Sequence, residues 1–235
     1  MTDLLVLNRV SKSFGGLEAI TELSLTVPVG AIVAVIGANG AGKTTLFDLI
    51  TGACRPDRGR ITFNGRGLVG LRADQVCAAG IARTFNPVQS FGALSVVDTV
   101  VVAALLRASG AAEARLRALE LLELLDLARV ARQPANRLTL AERKRLELAR
   151  ALATQPHLLL LDELLAELAP ADIERIGTLL QAFNRRPGLT LILAEARLNT
   201  ALAFAHRVVV LDHGRVVADA DPAALVDSVN QEEAP

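Results

Sequence analysis

The sequence contains no tryptophan and no tyrosine, one methionine and two cysteines, and its shortages exclude whole classes of protein. Cys54 and Cys77 form no CxxC pair and no histidine stands at ligand spacing from either. Neither a disulfide framework nor a metal staple is therefore expected, and both read as reduced thiols of a cytosolic chain. No sign of charge is in excess: 25 Lys+Arg balance 25 Asp+Glu, which argues against nucleic acid or another polyanion as the main partner. Long apolar runs are also missing. The richest, Val96 to Leu106, is interrupted by Asp98 and Thr99 and falls short of the roughly 18 residues a spanning helix needs. The opening MTDLLVLNRVSKSF, with Asp3 early and a short apolar run, is read as neither signal peptide nor membrane anchor.

What is there is apolar and periodic. At 235 residues the chain can bury a core without covalent staples, and its 51% hydrophobic content points to surface buried against partners. Leu4–Val10, Ala19–Val27 and Ala31–Ile36 are expected strands, separated by turns at Phe14-Gly15-Gly16 and Pro28-Val29-Gly30. A helix is expected from Gly42 or Lys43 to about Thr51, then a strand at Arg60–Phe63 and a turn at Asn64-Gly65. From about Leu94 to Arg132 the pattern turns helical, with Leu116, Leu119, Leu122 and Leu125 as its apolar stripe. Beyond it, strands at Leu158–Leu161, Thr190–Leu193 and Arg207–Leu211 alternate with helices at Ala141–Ala153, Ala171–Phe183 and Asn199–Ala205. The alternation predicts an α/β core with a mostly parallel sheet, and the tail after Ser228 is expected to fray.

Two motifs carry chemistry. Directly after Ala31–Ile36 comes GANGAGKTT, residues 37–45, which satisfies GxxxxGK[ST] between a strand and a helix. Gly37, Gly40 and Gly42 let backbone N–H groups turn inward around phosphate oxygens, with Asn39, Ala41 and Thr45 completing the candidate cradle. Lys43 is expected to reach the β- and γ-phosphates and Thr44 to ligate Mg²⁺. A dinucleotide site is excluded, because GANGAG lacks the GxGxxG spacing. The second motif, LLLLDE at 158–163, is an apolar strand ending in two carboxylates. Asp162 is a candidate for holding Mg²⁺, and Glu163 for orienting or deprotonating an attacking water. Together the motifs predict ATP chemistry.

These residues resemble the ATP-binding cassette (ABC) family over nearly the whole chain. VSKSFGGLEAI is similar to its opening strand and adenine-stacking turn, GANGAGKTT to its Walker A loop and GIARTF to the segment entering its Q-loop. LTLAERKRLELARALATQPHLLLLDE is similar to its signature helix with Walker B. GIARTF and RVVVLDHGRV most resemble the ATPase subunits of branched-chain amino-acid importers. The resemblance implies a P-loop NTPase core with an N-terminal antiparallel β subdomain and an inserted α-helical subdomain. Residues 1–85 and 155–235 would form the RecA-like core plus β subdomain and 86–154 the helical subdomain, together a single nucleotide-binding domain. It implies that Phe14 stacks on adenine, that Asn86 stands at the catalytic and metal-contacting Q-loop position, and that Thr139 and Ala141 of the signature face ATP held by a second ABC ATPase subunit, in a homo- or heterodimer. Integral membrane permease subunits, a solute-binding protein reached indirectly, and a place on the cytoplasmic face of the membrane are implied as well.

Four departures from that pattern bear on hydrolysis. Asn86 is one methylene short of the family's glutamine, and its amide is expected to reach Mg²⁺ and water only if its loop moves inward. The signature reads Leu138-Thr139-Leu140-Ala141-Glu142 in place of LSGGQ; Thr139 keeps a hydroxyl for the γ-phosphate, while Glu142 is expected to weaken ATP binding if it points inward. DELLAELAP lacks the proline after the catalytic glutamate and puts Glu167 and Ala169 in the D-loop region, and Ala196 occupies the position of the switch histidine. His206 and His213 are expected at the surface. The leading expectation is an importer ATPase; the second is a degenerate subunit that binds ATP and leaves turnover to a partner. DNA-repair and translation relatives need coiled coils or two cassettes, for which Lys43 to Leu138 leaves no room, and no NKxD motif supports a GTPase.

Overall fold

The structure, a computed structural model, describes residues 2–86, 94–185, 189–196 and 204–225. Strands β1 (Asp3–Phe14) and β2 (Leu17–Pro28) form a long hairpin. Its tip is Gly15-Gly16, both at positive φ, where a side chain is disfavoured. β4 (Arg58–Phe63) pairs with the other edge of β1, and β5 (Arg66–Gly67) completes an antiparallel sheet of order β2-β1-β4-β5. The Asn64-Gly65 turn between β4 and β5 has positive φ at both residues, as a tight hairpin turn requires.

The second sheet has the order β10-β9-β3-β8-β7-β6. Its strands are β3 (Ile32–Ile36), β6 (Ile81–Arg83), β7 (Leu158–Asp162), β8 (Thr190–Glu195), β9 (Arg207–Asp212) and β10 (Arg215–Ala220). All neighbours are parallel except β10, which runs antiparallel along the β9 edge. The continuous apolar runs of β3, β7 and β8 are buried from end to end, the pattern of a parallel sheet covered on both faces. Leu159, Leu161, Leu191 and Leu193 face a core built with α3 (Val96–Ala104), α4 (Ala111–Leu124), α5 (Leu140–Ala153) and α6 (Pro170–Asn184). Leu158, Leu160, Ile192 and Ala194 face the other way, toward α1 (Lys43–Thr51) and the antiparallel sheet.

The helical stretch from 94 to 132 is three pieces, α3, α4 and a single 3₁₀ turn at Ala128–Val130. Its expected apolar stripe is wrong: Leu116 and Leu119 are exposed, whereas Leu122 and Leu125 are fully buried. Residues three apart step about 300° around a helix of 3.6 residues per turn, so four such residues drift to opposite faces. The face that packs is Ala114, Ala118, Leu122 and Leu125. α2 (Ala73–Ala79), β6 and β10 had no expectation in the sequence. Residues 199–203 of the expected helix Asn199–Ala205, and the tail after Ser228, lie outside the described residues.

Candidate nucleotide site

The glycine-rich loop joins β3 to α1 at the end of the parallel sheet. Ala41 N–H donates to the Ala38 carbonyl (3.1 Å), tightening the loop on itself, and Gly214 N–H donates to the Ala41 carbonyl (2.9 Å). At Gly37 a Cβ would lie 2.3 Å from the Leu211 carbonyl oxygen, and at Gly42, where φ is +108°, 2.7 Å from that of Ala19. Neither position has room for a side chain. Gly42 is the N-cap of α1 and supplies no capping side chain, so the first-turn N–H groups are left for an anion, which the helix dipole also favours. Asn39, Gly40 and Thr44 are exposed at the mouth, Thr45 is half-buried and Ala41 is buried.

Lys43 is 5% exposed. Its ammonium donates to the carbonyls of Gly37 (2.7 Å) and Ala38 (3.2 Å) and stands 3.8 Å from Oε1 of Glu163. The β3 loop and the β7 terminus therefore meet, as the paired motifs predict. Asn86, after β6, donates its amide to Oε2 of Glu163 at 2.7 Å. The shorter side chain thus reaches the catalytic candidate directly.

Asp162 is buried, and its backbone N–H donates to Thr84 Oγ1 (3.1 Å). Arg83, which the motif reading did not single out, donates to Asp162 Oδ2 (2.6 Å) and to Asp48 Oδ1 (2.5 Å). Its guanidinium also lies near the rings of Phe47 and Phe85, 5.5 and 5.4 Å from their centroids. Burial pushes the Asp162 carboxyl above its ordinary range, and Arg83 opposes that shift. The only sequence signal for Arg83 was its place in GIARTF, next to the Q-loop position.

The signature residues sit at the start of α5, and none of their hydrogen bonds reaches the phosphate loop. Thr139 is the N-cap; its N–H (2.9 Å) and hydroxyl (3.0 Å) both donate to Glu142 Oε2, and Glu142 N–H donates back to the hydroxyl. This is a capping box. Glu142 does not project as a free charge but folds onto its own helix start, near Arg129 (3.4 Å), and the Thr139 hydroxyl expected for the γ-phosphate is engaged within the cap. The Ala141 carbonyl accepts from Arg145 Nε (3.4 Å).

Phe14, half exposed at the hairpin tip, has the Lys12 ammonium 5.1 Å from its ring centroid. Ala196, just beyond β8, is exposed, as are His206 and His213. His206 Nδ1 accepts from Ile32 N–H at 3.2 Å.

The ABC transporter family model matches residues 20–166. The high-affinity branched-chain amino acid transport ATP-binding protein LivG of Salmonella typhimurium is 33% identical over 93% of this chain and 92% of its own length. Its counterpart BraF of Pseudomonas aeruginosa is 29% identical over 96% and 94%. Among solved structures, a nucleotide-free ATP-binding cassette from an ABC transporter superposes with a TM-score of 0.87 at 24% identity, covering 99% of this chain and 96% of that one. A dimeric cassette in a post-hydrolysis state, bound to ADP and Pi, gives 0.86 at 26% identity over 93% and 99%. The family match over residues 20–166 and the likeness to LivG over nearly its whole length show that the chain belongs to the ABC transporter family and is built as one of its ATPase cassettes.

Proposed function

We propose that this ATPase binds Mg²⁺-ATP at residues 37–45 and couples its hydrolysis to import of amino acids of the branched-chain type across the cytoplasmic membrane. The meeting of Lys43, Asn86 and Glu163 carries the hydrolytic part of the reading; likeness to LivG and BraF over nearly their whole length supports the solute class. The N–H groups of the loop and of the first turn of α1 hold the phosphates, and Lys43 exchanges its loop carbonyls for β- and γ-phosphate oxygens. Glu163, steadied by the Asn86 amide, orients the attacking water and takes its proton. Phe14 stacks on the base, with Lys12 near its ring.

Thr44, Asp162 and the carbonyl oxygen of Asn86 form the hard oxygen donor set that suits Mg²⁺. The amide nitrogen of Asn86 is already committed to Glu163, which leaves that carbonyl oxygen for the ion. When bound, the ion would neutralise charge on the phosphates. Burial opposes ionisation of Asp162, and metal ligation favours it.

The whole chain acts as one nucleotide-binding domain, with 86–154 as its helical part. Thr139 and Ala141 face the nucleotide of a second ABC ATPase subunit, identical or related, which makes the active unit a dimer. Permease subunits dock on the helical part, where Val102, Leu105, Leu106, Leu116 and Leu119 are exposed. They hold the chain at the cytoplasmic face and link it indirectly to a solute-binding protein. Among the described residues no helix is long and apolar enough to cross a membrane, which fits a peripheral subunit. The departures at Asn86, Glu142 and Ala196 tune turnover, and the relatives give no support to a purely structural subunit. The test is uptake: cells carrying Lys43→Ala in place of the native chain lose energised uptake of leucine, isoleucine or valine. Unchanged uptake of all three would overturn the solute class.

A further inference from the structure

Two buried charges away from the phosphate loop hold the turn that carries Glu163. Lys144, on α5, is 4% exposed and donates to the carbonyl oxygens of Glu163 (2.8 Å) and Ala166 (2.6 Å). Glu195, at the end of β8 and 3% exposed, accepts from the backbone N–H of Leu165 (3.0 Å). Glu163 N–H donates in turn to the Ala194 carbonyl (2.9 Å). Backbone groups of the 163–166 segment are thus held from α5 on one side and from β8 on the other.

The segment needs holding. Glu163 and Glu167 have φ of +46° and +62°, a region that residues with side chains seldom adopt and that persists only where the surroundings fix it. Burial pushes the Glu195 carboxyl up to about 7 and the Lys144 ammonium down, and attraction between the two opposes both shifts. α5 also packs against β6, the strand that leads to Asn86. α5 therefore touches both chain segments whose side chains, Asn86 and Glu163, meet in the site.

We propose that Lys144 and Glu195 are positioning residues for ATP hydrolysis, a buried brace that fixes the 163–167 turn and so aims the Glu163 carboxylate. The proposal rests on the reading of Glu163 as the group that prepares the water, and deepens it. Neither brace residue contacts the phosphate loop through a hydrogen bond or ion pair among the described residues, so the brace acts on the chemical step and not on nucleotide affinity.

The experiment compares kcat and the Kd for ATP, measured without hydrolysis in EDTA, for wild type, Lys144→Met, Glu163→Gln and the double variant. Lys144→Met is expected to lower kcat about 10²-fold, the scale of a small misplacement of a reacting group, with Kd within about twofold. Added to Glu163→Gln it should change the residual rate by less than about twofold, because an aimed group that has been removed cannot be misaimed. Wild-type kcat in Lys144→Met, or an equal fall in both backgrounds, overturns the brace. If Lys144→Met does not fold by circular dichroism, Glu195→Leu, which removes the acceptor for the Leu165 N–H, carries the same comparison: a lowered kcat at unchanged Kd supports the brace and a wild-type kcat overturns it. An active Glu163→Gln would sink the Glu163 reading itself, whereas an inactive Glu163→Gln beside a fully active Lys144→Met sinks only the brace.

Discussion

The carboxylate of Glu163 is held from two sides: Asn86 donates to Oε2 at 2.7 Å, and the Lys43 ammonium stands 3.8 Å from Oε1. A hydrogen bond to a charged group contributes about 1.5–3 kcal/mol, or roughly 10- to 100-fold in rate where it orders a reacting group. Asn86→Ala is therefore expected to lower kcat by that factor, with a smaller change in ATP affinity. Single-turnover hydrolysis at saturating ATP checks it, and an undiminished rate would show that the contact does not order the water.

Gly40 and Gly42 both have positive φ, but only Gly42 is crowded by backbone, a Cβ there falling 2.7 Å from the Ala19 carbonyl oxygen. Strain of about 1–3 kcal/mol from the backbone conformation alone lowers Tm by roughly 2–10 °C in a chain of this size. Gly40→Ala should show that strain only. Gly42→Ala should fall further and lose ATP binding, because the loop must shift from β2 to admit the methyl group. Thermal unfolding with and without ATP distinguishes the two, and equal losses would contradict the difference in crowding.

The Thr139–Glu142 capping box gives α5 a pH-dependent start. The Thr139 backbone N–H, above all, holds the Glu142 carboxyl below its ordinary value of 4.5. A lowered folded-state pKa stabilises fully above the unfolded value and is lost as pH falls through the folded one. Glu142→Ala is expected to cost about 1 kcal/mol at pH 7, and the difference from wild type should shrink as pH falls below 4.5. Urea unfolding at both pH values measures it.

Glu195 has the opposite sign. Burial raises its carboxyl from 4.5 to about 7, so between those values the folded chain binds more protons than the unfolded one and stability falls as pH rises. At 1.36 kcal/mol per unit the loss is on the order of 3 kcal/mol, complete just above neutrality. Glu195→Gln, which keeps an oxygen for the Leu165 N–H, should gain stability relative to wild type across that window and level off above it. A difference independent of pH would place the titration elsewhere.

What the sequence discloses is what short covalent patterns encode. GANGAGKTT and LLLLDE specify loop, strand and charge by their own residues, and the parallel sheet follows from uninterrupted runs such as those of β3, β7 and β8. On α4, leucines three apart look like a stripe, while the buried positions include Ala114 and Ala118, whose small side chains carry little signal. β6 is three residues long, too short to show a period that would mark Arg83 at its end. Lys144, Glu147 and Glu195 carry no mark of burial in the sequence; only the fold shows them buried. Whether Glu142 points at nucleotide or at its own helix cap is likewise a matter of rotamer, not of spacing.

In the proposed function this chain hydrolyses ATP through Lys43 and Glu163. Steady-state Mg²⁺-ATP hydrolysis by the purified chain at several protein concentrations, beside Lys43→Ala and with ATP binding measured in parallel, tests it most directly. Turnover of about 1 s⁻¹ or more is expected, rising with protein concentration as a dimer forms and abolished in Lys43→Ala. ATP binding with no turnover above the Lys43→Ala background would contradict it.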